Sequence, residues 1–129
     1  MRRIGLIIFA LSLAFSALPA SAGKLVDALP EQMAGYAKQA GHILASIPLC
    51  GGDAEELDYF RGLARDTLRQ IGADDDDIGY LDFYMEESAK TAKPRKRDCR
   101  DEDGLDLAAT LFSFKNEMER ELKAKASSN

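Results

Sequence analysis

Apolar residues recur at helical spacing in four separate stretches of this 129-residue chain. No stretch alternates apolar and polar residues for long enough to form a strand. The four stretches begin near Pro30, after Asp53, within the run 74–77 and after the run 101–103. Because the links between them are short, consecutive helices are expected to pack antiparallel. The sequence therefore predicts an all-α fold, a small antiparallel bundle of about four helices.

Helix start and stop signals mark several ends of these stretches. Pro30 suits the first turn of the first helix, and Pro48 is predicted to end it. Asp53, with Glu56 three residues later, resembles a capping box at the start of the second helix, and Gly72 stands where a C-cap belongs. The residues predicted to face the core in the third helix are Ile78, Leu81, Tyr84, Met85, Ser88 and Ala89, and those in the fourth are Leu107, Leu111, Phe114, Met118 and Leu122.

The first 22 residues have the three-part layout of a secretory signal peptide. Arg2 and Arg3 precede an apolar run, Pro19 breaks that run, and small residues follow up to Ala22. The run covers about 15 residues, whereas roughly 20 are needed to span a bilayer. The alternative is an uncleaved anchor. The sequence predicts cleavage after Ala22, which leaves a single helical domain, residues 23–129, with no transmembrane segment.

Both cysteines, Cys50 and Cys99, remain in the predicted mature chain. An even number of cysteines in an oxidising compartment indicates a disulfide, and no Cys-x-x-Cys spacing favours the alternative of two redox-active thiols. Each cysteine also precedes a predicted helix, the second or the fourth, and these two helices start at the same end of an antiparallel bundle. The sequence predicts a Cys50–Cys99 disulfide in a protein of the periplasm, with an extracellular location as the alternative.

In its small size, helical content and single disulfide, the chain resembles the acid-activated periplasmic chaperones. The resemblance extends over the mature chain, and Cys50 and Cys99 are the only residues that carry it. It implies a small helical fold that binds other proteins.

Composition excludes several kinds of chemistry. One histidine rules out a site with two His ligands, and two cysteines rule out a four-thiolate zinc site. Seventeen basic against 22 acidic residues give a net charge of −5, which argues against nucleic acid as the main partner. His42 is predicted to lie on the exposed side of the first helix. No catalytic residue is predicted, and a small hydrolase is the less favoured alternative to a non-enzymatic protein.

The four consecutive aspartates at 74–77 resemble part of a calcium-binding loop. Asp74, Asp76 and Asp82 fall at ligand positions of an EF-hand, but Ile78 and Met85 stand where two further ligands are required. The alternative is an acidic N-cap that complements the dipole of the third helix. The sequence predicts no cofactor, and calcium held by these three aspartates is the alternative.

A basic run follows the third helix. Its cations are well placed for a polyanion or an acidic partner protein, and the alternative is a solvated loop neutralised by the acids that follow. The residues proposed for this contact are Lys93, Arg95, Lys96 and Arg97.

Three aromatic residues fall away from the predicted core faces. Phe83 is almost opposite the apolar side of the third helix, Tyr80 is one turn before it, and Tyr59 is off the apolar stripe of the second helix. Exposed aromatic side chains favour a contact surface, unless rotation of the helix or packing of the first helix covers them.

These features together predict a small exported protein that acts by binding another protein, as an inhibitor, immunity factor, chaperone or accessory subunit of an envelope complex. A cation-binding or small-ligand module at Asp74–Asp82 is the alternative function. The partner is an unidentified envelope or secreted protein, and a homo-oligomer is left open.

Overall fold

The protein is all-α in a computed structural model that describes residues 22–99 and 101–128, without the side chains of 97–98 and 101–107. These residues form no strand, and none of their helices is long and apolar enough to cross a membrane. The predicted signal peptide lies outside them except for Ala22 and stays a prediction. The helices are α1 (Lys24–Ala28), α2 (Pro30–Leu49), α3 (Ala54–Arg69), α4 (Asp75–Thr91) and α5 (Asp101–Ser127), with a 3₁₀ turn at Lys96–Cys99.

The helix α2 is the centre of the bundle, since α1, α3, α4 and α5 all pack against it. Tyr36 in α2 is fully buried, and its hydroxyl donates a hydrogen bond of 2.7 Å to the carbonyl oxygen of Ala64 in α3. Burial raises the pKa of this phenol far above its ordinary value, so it stays neutral and remains a donor. The other large, fully buried apolar side chains are Leu25, Leu29, Met33, Leu68, Leu81, Met85, Leu111 and Met118.

Several predicted helix ends are confirmed. The carboxylate of Asp53 accepts the N–H of Glu56 at 3.0 Å and caps α3. α4 is capped by Asp74 and therefore begins within the predicted acidic run. α3 ends slightly earlier than expected, at Arg69, and Gly72 then takes the left-handed conformation (φ +97°) in the turn that follows.

Two predicted ends were wrong by a few residues. Pro48 does not end α2, which runs on to Leu49. A proline this close to the end interrupts only the last turn, and the N–H of Cys50 still bonds to the carbonyl of Ser46 at 3.0 Å. α5 begins at Asp101 rather than after Asp103, so the acids form its first turn, where the helix dipole favours them.

One predicted core position was also wrong. Tyr84 is 46% exposed, whereas Ile78, Leu81 and Met85 form the buried apolar stripe of α4. Tyr84 falls on the flank of that stripe, on the same side as Tyr80, because residues four apart lie one above the other on a helix.

The predicted disulfide is confirmed. The sulfurs of Cys50 and Cys99 are 2.08 Å apart and the two Cα atoms 5.2 Å apart. The bond joins the end of α2 to the turn before α5, so that α3 and α4 lie inside the closed loop.

The helices α2 and α4 approach each other closely at Gly41. A Cβ added there would lie 2.6 Å from the carbonyl oxygen of Met85 and 2.9 Å from the amide nitrogen of Ala89. Both are backbone atoms within α4, so neither can move without moving the helix. The absence of a side chain at Gly41 therefore allows the two helices to pack this closely.

We expect Gly41→Ala to lower the free energy of unfolding by about 2 kcal/mol, because the helices must separate to admit the methyl group. The control is Gly62→Ala in α3, where an added Cβ meets no atom within 4 Å. That change should raise stability by roughly 0.5–1 kcal/mol through helix propensity. Urea unfolding of the two variants measures both effects. Equal unfolding midpoints for Gly41→Ala and Gly62→Ala would show that the close approach at Gly41 does not affect stability.

Candidate functional site

An open groove of about 620 Å³ lies between α2 and α4. Each helix contributes side chains spaced four residues apart, so two rows face each other along the groove. Its volume is within the range of ligand-binding pockets in proteins. The lining residues are Ala34, Lys38 and His42 from α2, Tyr80, Tyr84, Ser88 and Thr91 from α4, and Ala92 and Lys93 just beyond α4.

One wall of the groove is aromatic. The ring centroids of Tyr80 and Tyr84 are 4.5 Å apart, and those of Phe83 and Tyr84 are 5.0 Å apart with the rings nearly perpendicular. These three residues are the aromatic cluster. Phe83 is 59% exposed and Tyr84 46%, so large apolar surface faces solvent. Desolvation, with a contribution from Tyr84, raises the pKa of Tyr80, so its hydroxyl stays protonated and can donate a hydrogen bond.

The ionisable side chains on the other side of the groove are basic. Lys38, His42 and Lys93 line it, whereas none of the described lining residues is acidic. Lys38 and Lys93 are exposed, and neither pairs with a carboxylate among the described side chains. On a chain with an excess of acids, the groove is thus a local site of positive charge. His42, predicted on the exposed side, is instead half-buried in the groove wall.

Only some residues of the predicted basic and aromatic contact surfaces lie at the groove. Lys93 of the basic run reaches the groove, whereas Arg95 and Lys96 are exposed beyond it, and the side chain of Arg97 lies outside the described residues. Tyr59 is 75% exposed on α3 and does not line the groove.

The three aspartates proposed for calcium have different surroundings. Asp82 pairs with Arg65 of α3 at 2.8 Å, and Asp76 is exposed. Asp74 accepts the N–H groups of Asp77 at 2.9 Å and Lys24 at 3.0 Å. These bonds, with that from Asp77 the strongest, hold the pKa of Asp74 below its usual value. Within the described part of the chain, no group of three or more His, Cys, Asp or Glu side chains could hold a metal ion.

Asp77 is a structural residue that the sequence analysis missed. Its carboxylate is fully buried and accepts the N–H groups of Leu25, Val26 and Asp74, each at 3.0 Å. Together with Asp74 it forms a capping box at the start of α4, and it also caps α1. The available signal was the spacing of three residues from Asp74, which places an acid at the third position of the helix.

The groove supplies two ammonium groups, an imidazole, two phenols and two hydroxyls around an apolar wall. Such a set can hold a carboxylate beside an apolar or aromatic group. No protein-family model, curated protein or solved structure matches the chain. The chemistry of the groove is therefore the basis on which a function can be assigned.

Proposed function

We propose that the chain is a non-enzymatic binding protein of an exported compartment, whose groove holds an acidic segment of another exported protein. The observation that supports this proposal best is that two rings of the aromatic cluster, Tyr80 and Tyr84, line the same groove as Lys38 and Lys93. Neither lysine pairs with a carboxylate among the described side chains. Aromatic anchors surrounded by a polar, solvent-accessible rim are typical of a protein-binding surface.

The aromatic cluster supplies the apolar part of such an interface. Covering Phe83 and Tyr84 would remove large exposed ring surfaces from water, which is favourable by roughly 25 cal/mol per Å² of apolar area. The rings already pack against each other, so little side-chain freedom is lost when a partner binds.

The charges favour an acidic partner segment. Lys38 and Lys93 would pair with its carboxylates at the rim of the groove, where exposed ion pairs contribute mainly to orientation and association rate. The remainder of the chain has an excess of acids and repels an acidic partner. The partner is thus directed to the groove rather than to the rest of the surface.

A protein partner fits better than a small molecule because the apolar surface extends past the groove. Phe83 is not a lining residue, yet it is the more exposed part of the aromatic cluster. A ligand confined to the groove would leave Phe83 in water, whereas an extended segment would cover it.

Cross-linking in the cell of origin tests this function. A photoreactive phenylalanine at position 83 is expected to form a covalent adduct with one exported protein, and the same residue in place of the exposed Tyr59 is expected not to. We expect the double variant Lys38→Glu/Lys93→Glu to reduce the adduct about tenfold or more, since two attractive contacts become repulsive and each 1.4 kcal/mol is a factor of ten.

The matched control is Lys123→Glu, which reverses an exposed charge on α5 and should leave the adduct unchanged. An adduct that survives reversal of both groove lysines would overturn the acidic-segment proposal while leaving a protein partner in place. Adducts with copies of this chain alone, or none at all, would overturn the proposed function itself.

A further inference from the structure

Among the described residues, no side-chain cation pairs with the carboxylate of Asp77. It is fully buried and accepts three backbone N–H groups, and no Lys or Arg of the described residues forms an ion pair with it. Backbone donors satisfy its oxygens, and a positive charge within about 4–6 Å would further favour the charged form of this carboxylate.

Gly23 lies directly against this carboxylate. A Cβ added at Gly23 would overlap Oδ1 of Asp77 and lie 2.7 Å from its Cγ and from its amide nitrogen. Gly23 is buried and has a φ of +123°, a conformation that other residues rarely adopt. Since the nitrogen and Cβ of one residue are about 2.5 Å apart, the nitrogen of Gly23 is within about 5 Å of the Asp77 carboxylate.

Gly23 is also the residue that follows the predicted cleavage site at Ala22. Before cleavage its nitrogen is part of a neutral amide. After cleavage it is an α-ammonium group, which is mostly charged at neutral pH because such groups titrate near 7.7–8.0.

We infer that removal of the signal peptide after Ala22 creates an ion pair between the α-ammonium group of Gly23 and the buried carboxylate of Asp77. This inference rests on the predicted cleavage and is independent of the groove. Processing thereby places a cation next to Asp77 and strengthens the existing link between α1 and the start of α4. The mature chain is consequently more stable than the same domain with residues still attached before Gly23.

The ion pair between Gly23 and Asp77 also requires that cleavage occur directly before Gly23. Each extra residue moves the terminal nitrogen by up to about 3.8 Å, which takes the charge out of contact with Asp77. A residue other than glycine at position 23 would place a Cβ on the carboxylate. A terminus at Gly23 therefore brings the ammonium charge to Asp77 without placing a side chain on its carboxylate.

The test compares two purified chains that each contain all five helices, residues 23–129 with a free α-amine and residues 22–129, which keep Ala22. We expect the melting temperature of the longer chain to be lower by about 5 °C, the shift typical of one lost favourable contact in a domain of this size. Equal melting temperatures would overturn the inference.

The same comparison in an Asp77→Asn background separates charge from steric effects. There the difference is expected to disappear, and a difference that persists would overturn the inference. If the Asn variant does not fold, the α-amine of Gly23 in the wild-type chain can be titrated by NMR. We expect its pKa to be raised above about 8, and titration at the ordinary value of 7.7–8.0 would equally overturn the ion pair.

Discussion

Replacing both Cys50 and Cys99 by serine is expected to lower the free energy of unfolding by about 4 kcal/mol. The disulfide closes a loop of 49 residues, and in the chain-entropy model such a link stabilises mainly by restricting the unfolded chain. The closed loop holds the whole of α3 and α4, so without it both helices must be positioned by packing alone. Urea unfolding of the oxidised protein and of the double variant measures the difference.

Reduction of the wild-type protein by dithiothreitol is the control for local packing of the serines. The reduced protein should unfold at nearly the same urea concentration as the double variant. A double variant with the midpoint of the oxidised protein would contradict the prediction and show that the helices hold together without the covalent link.

Replacement of Asp77 by asparagine is expected to cost about 3 kcal/mol. An amide retains one acceptor oxygen and turns an NH₂ group toward the N–H donors of Leu25, Val26 and Asp74, so at least one buried donor loses its partner. The loss affects the start of α1 and the start of α4 together. Thermal unfolding followed by circular dichroism measures it.

The neighbouring Asp76 provides the control, because its side chain is exposed. Asp76→Asn should change stability by no more than about 0.5 kcal/mol, as is typical of surface substitutions. Similar losses for the two variants would mean that the total charge of the acidic run, rather than the buried contacts of Asp77, stabilises this end of the bundle.

The four long helices could be predicted because their signals are local. Apolar spacing, the cap at Asp53 and the acids before α4 all act within a few residues of the element they define. The short helix α1 could not be predicted in this way. It has only five residues, and its first N–H groups are bound by Asp74 and Asp77, about 50 residues away in the chain.

The candidate site was predictable in its parts but not as a whole. The exposure of Phe83 followed from its position opposite the apolar stripe of α4. That Lys38 and His42 line one groove with Tyr84 depends on the close approach of α2 and α4, which the missing side chain at Gly41 permits. No periodicity within one helix records its distance from another, so the groove became visible only in the folded chain.

The positions of the tyrosines also make binding at the groove accessible to fluorescence measurement. The chain has no tryptophan and four tyrosines, so its ultraviolet emission comes from tyrosine alone. Tyr80 and Tyr84 line the groove, whereas Tyr36 is sealed in the core and Tyr59 stands apart on α3. A molecule that enters the groove would change the surroundings of two of the four tyrosines, so we expect binding to alter the intrinsic emission of the protein without a dye or a tag.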